Sequence, residues 1–252
     1  ISKNCKMGMV FGRISEEIPR YVVVHKTPIY EVWRYSGVSI AAVVHASDLK
    51  DPTTHEIPNE SRFTGMAFNI LARYIGVFGT PENKMSSNSN DGSISNQSVP
   101  IAMTAPVVMD PPIHTKIAMT APVIMDPPSD AGDSKKIFSD AEGSTMKFLL
   151  PSKYNRIEDV PTPTNPAVKL ELIPSGRCEA VHTFTGNFNM KRASQEAEKF
   201  MALLREDSEK IKIIGDWTAQ GYNPPFTIPF LKRNEIHVPV SPQPFESIES
   251  LN

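Results

Sequence analysis

Gly65, Phe68, Asn69, Ala72 and Arg73 recur at spacings that place them on one side of a single α-helix. Together they offer an open backbone position, an aromatic ring, a carboxamide, a methyl group and a guanidinium. A helix side turned to solvent is ordinarily polar and charged. This set suits a flat apolar ligand bearing carboxylates. Phe68 and Ala72 would form its floor, Gly65 would allow close approach, and Arg73 would pair bidentately with a carboxylate. The plainer alternative is that Phe68 packs beneath the loop that follows and no ligand is involved. Glu31 and Glu235 occupy comparable strand-like segments of the two halves of the chain. Facing each other in one cleft they would divide acid and base roles; apart, they are salt-linked strand residues.

The remaining chemistry-bearing residues are scattered. His25, His45, His55, His114, His182 and His237 show no metal-ligand spacing and read as strand or loop residues. Met66 belongs to the packing stripe of the helix. No Gly-rich phosphate loop or nucleophile–base pair is recognisable. Cys5 and Cys178 are the only cysteines in 252 residues, which is no disulfide scaffold and fits a reduced, cytosolic setting. Cys178 reads as a small apolar filler in a strand. A net charge of −2 without a dense Lys/Arg cluster makes nucleic acid a poor partner. No apolar run approaches the ~18 residues of a membrane span. Residues 1–12 lack the apolar core of a signal peptide and are expected to be flexible.

The elements that must position these residues follow from periodicity. Residues 21–24, 30–35 and 38–44 are rich in Val, Ile, Tyr and Trp and are punctuated by Thr27-Pro28 and Ser36-Gly37, which predicts three strands. Phe63, Met66, Ala67, Ile70, Leu71 and Tyr74 then form one helical stripe, capped by Asn59 or Ser61 and ended by Gly76 or Gly79. Residues 80–98 are dominated by Ser, Asn, Gly and Pro and read as a mobile loop, as does a second insert at 129–144. Further strands are expected at 145–150, 168–173, 179–184, 216–220 and 235–240. A second helix is expected over 190–206, with a tail from 241 to 252. Strands, helix and strands, twice over, predict two similar α+β halves that share one sheet system within a single domain spanning 13–240.

A twelve-residue phrase, Ile101-Ala102-Met103-Thr104-Ala105-Pro106-Val107-Val108-Met109-Asp110-Pro111-Pro112, recurs at 117–128 with only Val108 changed, to Ile124. Two copies cannot stack a solenoid core. One copy is expected to form a strand after the first helix, and the other a sheet-edge extension or a loop. Pro106 and Pro122 remove ladder donors, so neither copy can be a long central strand. Residues alone do not say which copy is in register.

Six motifs in order carry a resemblance: Tyr30-Glu31-Val32-Trp33-Arg34-Tyr35, Ala72-Arg73-Tyr74-Ile75-Gly76, residues 101–107, Phe148-Leu149-Leu150-Pro151, Gly221-Tyr222-Asn223-Pro224-Pro225 and Arg233-Asn234-Glu235-Ile236. The chain resembles the SOUL, or heme-binding protein, family, and among it the plant cytosolic members with a Met-Gly-Met-Val-Phe-Gly start, found here from Met7 to Gly12, which implies Met7 as the natural start. The resemblance implies an α+β fold, a distorted β-barrel of two pseudo-symmetric halves flanked by two helices. It also implies non-covalent binding of heme b, protoporphyrin IX or a related tetrapyrrole in an open hydrophobic groove on the outer side of the first helix. The loop at Phe226 and Thr227 would flank that groove. Two departures bear on this. Some members carry a His, proposed as an axial iron ligand, where this chain has Arg34, and a guanidinium is a very poor donor. A basic residue that lines the cleft in some relatives is Thr227 here, so Arg62 or Lys84 would have to join Arg73 as propionate partners. The rival expectations are an enzyme that uses Glu31 or Glu235 in a groove on a small apolar substrate, and an interaction module whose Pro-rich repeats dock a partner.

Overall fold

The computed structural model describes residues 12–14, 16–88, 94–111, 143–224, 226–243 and 245. Met7, Cys5, His114, the second copy of the repeated phrase and nearly all of the 129–144 insert lie outside the described residues. Twelve strands and two α-helices are present among those described: β1 (Tyr21–Lys26), β2 (Glu31–Tyr35), β3 (Ser39–His45), α1 (Glu60–Ile75), β4 (Asn83–Asn88), β5 (Ile94–Gln97), β6 (Val107–Asp110), β7 (Thr145–Leu149), β8 (Thr162–Pro163), β9 (Lys169–Ile173), β10 (Cys178–Phe184), α2 (Met190–Glu206), β11 (Thr218–Gly221) and β12 (Asn234–Val240). Nine strands form one sheet in the order β1-β2-β10-β12-β11-β6-β7-β3-β9. Every pairing in it is antiparallel. The consecutive strands β2 and β3 do not pair with each other. Each takes a partner from the second half instead, β2 with β10 and β3 with β9, so the two halves interlock.

The sheet is curled into a half-barrel, because side chains from strands near both edges converge on one cavity on its inner face. Both helices lie on the outer face. Strand alternation sorts the residues between the two faces. On β12, Ile236, Val238 and Val240 join the outer core, while Glu235 and His237 point inward. α1 begins at Asn59, whose side chain accepts from the Arg62 amide. It ends at Gly76, whose φ of 89° lets its N–H reach the Ala72 and Arg73 carbonyls. Phe63, Ala67, Leu71, Ala72, Tyr74 and Ile75 are its buried residues. Asn189 caps α2 in the same way, and Met190, Ala193, Ala197, Phe200 and Leu204 are buried. No helix among the described residues is long and apolar enough to cross a membrane.

Three local expectations change. Within the expected loop at 80–98, β4 and β5 pair as a hairpin, and β4 also takes β8 as a partner. The reason is Asn83, whose fully buried carboxamide donates to the Tyr74 and Val99 carbonyls and accepts from the Val99 amide. A polar composition that cannot bury apolar surface is here anchored by hydrogen bonds. The expected tail begins inside the fold: Phe245 is buried, and its carbonyl accepts from Arg34 Nη2 at 2.6 Å. The first copy of the repeated phrase supplies β6, and it does so in the middle of the sheet, between β11 and β7. That is compatible with Pro106 because the strand starts at the next residue and is only four residues long. The Ala105–Pro106 peptide is cis, and the Thr104 hydroxyl donates to the Leu149 carbonyl.

Asn83 therefore ties α1, β4 and residue 99 together. Asn83→Ala leaves two buried carbonyls and one amide without their partner. It should lower unfolding stability in urea by about 2–3 kcal/mol, and an unchanged midpoint would show that the hairpin is held by other means.

Candidate functional site

The outer face carries the residues expected to contact a ligand, with α1 rotated relative to the sequence expectation. Ala72 is fully buried, so it belongs to the packing side of the helix and cannot be part of an open floor. Burial spreads onto this flank because Val77 folds back, its N–H bonding the Ala72 carbonyl. Phe68 is half-buried, with its ring edge-on to Phe148 at 5.5 Å between centroids. Gly65, Asn69 and Arg73 are exposed, as is Arg62, on one ridge. A Cβ on Gly65 would meet nothing within 4 Å, so that position is open. Met66 is half-buried, at the margin of the stripe and not at its centre.

From Phe68 an apolar strip runs across the end of the sheet. Phe148 is the register partner of Val107, and Val107 that of Gly221. A Cβ on Gly221 would sit 3.5 Å from the Phe188 ring. Phe68, Val107 and Phe188 are each only partly buried against the outer core. Gly221 leads into the loop that holds Phe226, which is 60% exposed. Thr227, expected to line the groove, is buried, its amide bonded to the Pro224 carbonyl. The structure thus brings Gly65, Phe68 and the strip together, and keeps Thr227 and Ala72 out of reach. Lys84 is exposed on β4, just beyond Glu82, whose carboxylate holds Arg73 at 3.4 Å in an exposed pair. Arg34, the residue in place of a candidate axial ligand, points to Phe245 and away from this strip.

The inner face carries a charged cluster that the scattered histidine pattern concealed. His237 is buried between two carboxylates, with Nδ1 2.7 Å from Glu179 Oε2 and Nε2 2.8 Å from Glu235 Oε2. Glu235 also accepts from the Tyr222 hydroxyl at 2.5 Å and from Arg233 Nε at 2.6 Å. Glu179 accepts from Arg177 Nε at 3.1 Å, and the Arg177 guanidinium lies over the Tyr35 ring. Trp33 meets His237 edge-on and stacks flat on Tyr21, with centroids 3.8 Å apart. Glu31 does not join Glu235. Its carboxylate is taken by Lys26 at 2.7 Å and by the Trp33 indole N–H at 2.8 Å. Both carboxylates are salt-linked strand residues, as in the plainer of the two sequence expectations. The readable signal was alternation: Glu235 and His237 at i and i+2 on one strand must share a face. Their partners Glu179, Arg177 and Tyr222 come from elsewhere in the chain, and no spacing announces them.

Burial alone would push the His237 pKa down. The hydrogen bonds and charges of Glu179 and Glu235 outweigh it and lift the value from 6.5 to about 9. Burial likewise favours protonation of Glu179, yet His237 and Arg177 draw its pKa down to about 2. Glu235 is lowered in the same way, its burial outweighed by His237, Arg233 and Tyr222. Burial and the neighbouring carboxylates raise Tyr35 and Tyr222 well above the ordinary phenol value. The cluster is an imidazolium clamped by two carboxylates.

The pH dependence follows from these directions. A raised His237 pKa contributes stability that is complete below 6.5 and lost as pH rises through about 9. A lowered Glu179 pKa contributes stability that is complete above 4.5 and lost as pH falls through about 2. Urea unfolding should therefore show a plateau between these limits and a fall of on the order of 2–3 kcal/mol on the alkaline side. His237→Gln should abolish the alkaline slope, and a slope that persists in that variant would assign it to another group. Glu179→Gln, which strands a buried charge, should cost about 3–5 kcal/mol.

Comparison with known proteins bears on the fold and on the ligand class. The family model of the SOUL heme-binding proteins matches residues 16–239, a span that contains the whole curled sheet apart from Val240 and both helices. No curated protein matches the chain. The match covers most of the chain, and the interlocked two-half sheet with two outer helices agrees with it: the chain belongs to the SOUL heme-binding protein family.

Proposed function

We propose that this protein binds heme b, protoporphyrin IX and related tetrapyrroles non-covalently along the outer strip beside α1, as a carrier or buffer in the cytoplasm, as in plant-type members. The observation that carries this reading is the run of partly buried apolar side chains Phe68, Val107 and Phe188 over the buried Phe148, bordered by the open Gly65 and the exposed Phe226. A porphyrin face is flat, and such a strip is matched to it. Arg62 and Arg73 stand on the exposed ridge above it as propionate partners, with Lys84 beyond the end of the helix. Arg73 can exchange its exposed bond to Glu82 for a ligand carboxylate at little cost, since exposed pairs are worth about 0–1 kcal/mol.

Magnitudes place the affinity. Burying ~300 Å² of apolar porphyrin surface at ~25 cal/mol/Å² contributes about 7.5 kcal/mol before association costs. Micromolar binding corresponds to about 8 kcal/mol. Shape and one or two charge pairs then support modest, reversible binding, which suits a carrier. The reading rests on the macrocycle and its carboxylates, because Arg34 stands where an axial His is proposed in some members and its guanidinium bonds the Phe245 carbonyl.

Titration with hemin and with protoporphyrin IX, followed in the Soret region, tests it. Both should bind saturably and with similar affinity. Phe68→Asp should weaken binding by about tenfold or more, the loss of ~1.4 kcal/mol of contact. Gly65→Trp, which fills an open position without disturbing the core, should do the same. Binding no stronger than to an unrelated control protein, or indifference to both substitutions, would sink the proposal.

A further inference from the structure

The inner face of the sheet, opposite the tetrapyrrole strip, holds a half-open cavity of about 160 Å³. Its walls are of two kinds. Trp33, Tyr35 and Tyr222 supply aromatic surface on one side, and Val108, Leu149 and Ile173 supply aliphatic surface on the other. An apolar cavity close to this size holds a single aromatic ring such as benzene. Trp33 is held rigidly by its stack on Tyr21 and by its bond to Glu31, so the aromatic wall is preformed.

One polar group in this cavity is left over. Gln220 is 7% exposed and lines the cavity. Its carboxamide oxygen lies 3.5 Å from the Tyr222 hydroxyl, which is already committed to Glu235. Its carboxamide nitrogen has no hydrogen-bond partner among the described residues. This donor opens on the pocket and is free to serve a ligand oxygen there, and neither Arg177 nor Lys147 competes for it as an acceptor, because both are donors themselves. Thr218, two residues earlier on β11, faces the same space. The charged groups on the walls are engaged with one another. Lys147 Nζ lies 3.1 Å from Asp110 and 3.5 Å from Glu171, and Arg177 holds Glu179. A charged ligand would have to compete with these pairs, whereas a neutral one leaves them intact.

We propose that the barrel interior is a second binding site, distinct from the outer strip, for a small neutral aromatic molecule of one ring that carries a carbonyl or hydroxyl oxygen. The ring lies between the Trp33–Tyr35 wall and the Val108–Leu149 wall, and its oxygen accepts from the Gln220 carboxamide. The specificity is for an acceptor: an aromatic without one covers the Gln220 donor and gives it no partner, and an aromatic carboxylate disturbs the Lys147 and Arg177 pairs.

Benzamide, benzoate and toluene are the probes, titrated into the full chain and followed by amide chemical shifts and by Trp33 fluorescence. Benzamide should bind saturably and shift residues of β6, β7 and β11, with benzoate and toluene each weaker by about tenfold. Gln220→Leu, which keeps the strand and the volume, should weaken benzamide by about tenfold. Val108→Phe should fill the cavity and abolish binding, and a native circular dichroism spectrum identifies variants that have kept the fold. Hemin titration of the same folded variants should be unchanged, which separates this site from the outer strip. Absence of saturable shifts, equal affinity for benzamide and benzoate, or full retention in folded Gln220→Leu overturns the proposal.

Discussion

A buried imidazolium held between two carboxylates anchors the interior of this protein. Glu179 lies on β10 while Glu235 and His237 lie on β12, so the clamp crosses from one strand to its neighbour at the middle of the sheet. Arg177, Arg233, Tyr35 and Tyr222 complete its bonding, and with Trp33 they place three aromatic rings around it. Such a network is strong evidence of geometry and weak evidence of net stability. An apolar set of the same shape would hold the strands about as well, while losing one member strands a charge. What the clamp specifies is register. A one-residue slip of β12 would send Glu235 and His237 into the outer core and Ile236 and Val238 into the cavity.

That alternation divides the molecule into two working sides. The outer side is apolar, continuous and roofed by α1 and α2, and it leaves one end of the sheet thinly covered where Phe68, Val107 and Phe188 meet the surface. The inner side is aromatic and charged, with its ions paired and a small volume left between them. A single antiparallel sheet thereby presents two surfaces of different chemistry. They share strands β6, β7 and β11, whose successive residues face opposite ways: Val107 outward and Val108 inward, Gly221 outward and Gln220 inward.

The elements themselves were largely legible in the chain. Both helices follow from periodicity, and the structure takes Asn59 and Gly76 from the two caps and two ends that the first helix offered, because these are local choices made within a turn or two. The hairpin at β4 and β5 was not, because its composition is that of a loop and what holds it is the bond set of one buried asparagine to distant backbone. Phe245 was missed for a similar reason: a single aromatic after a Pro-containing stretch carries no period, and its place is decided by Arg34 some two hundred positions earlier.

For the site, residue types and helical spacing singled out a segment of α1 that mixes a ring, an open backbone position and a cation. Spacing states which residues share a side of a helix and not which side the rest of the protein covers. Ala72 and Phe68 lie at the border of the packed stripe, so a modest rotation about the helix axis was enough to seal one and half-open the other. The inner cluster lay further beyond reach. Two of its members are adjacent in strand period, but the other carboxylate and the tyrosines arrive from strands brought alongside only when the halves interlock. Local periodicity writes the elements into the chain; the contacts that select a charge state, an open groove or a half-open cavity exist only once distant strands are paired.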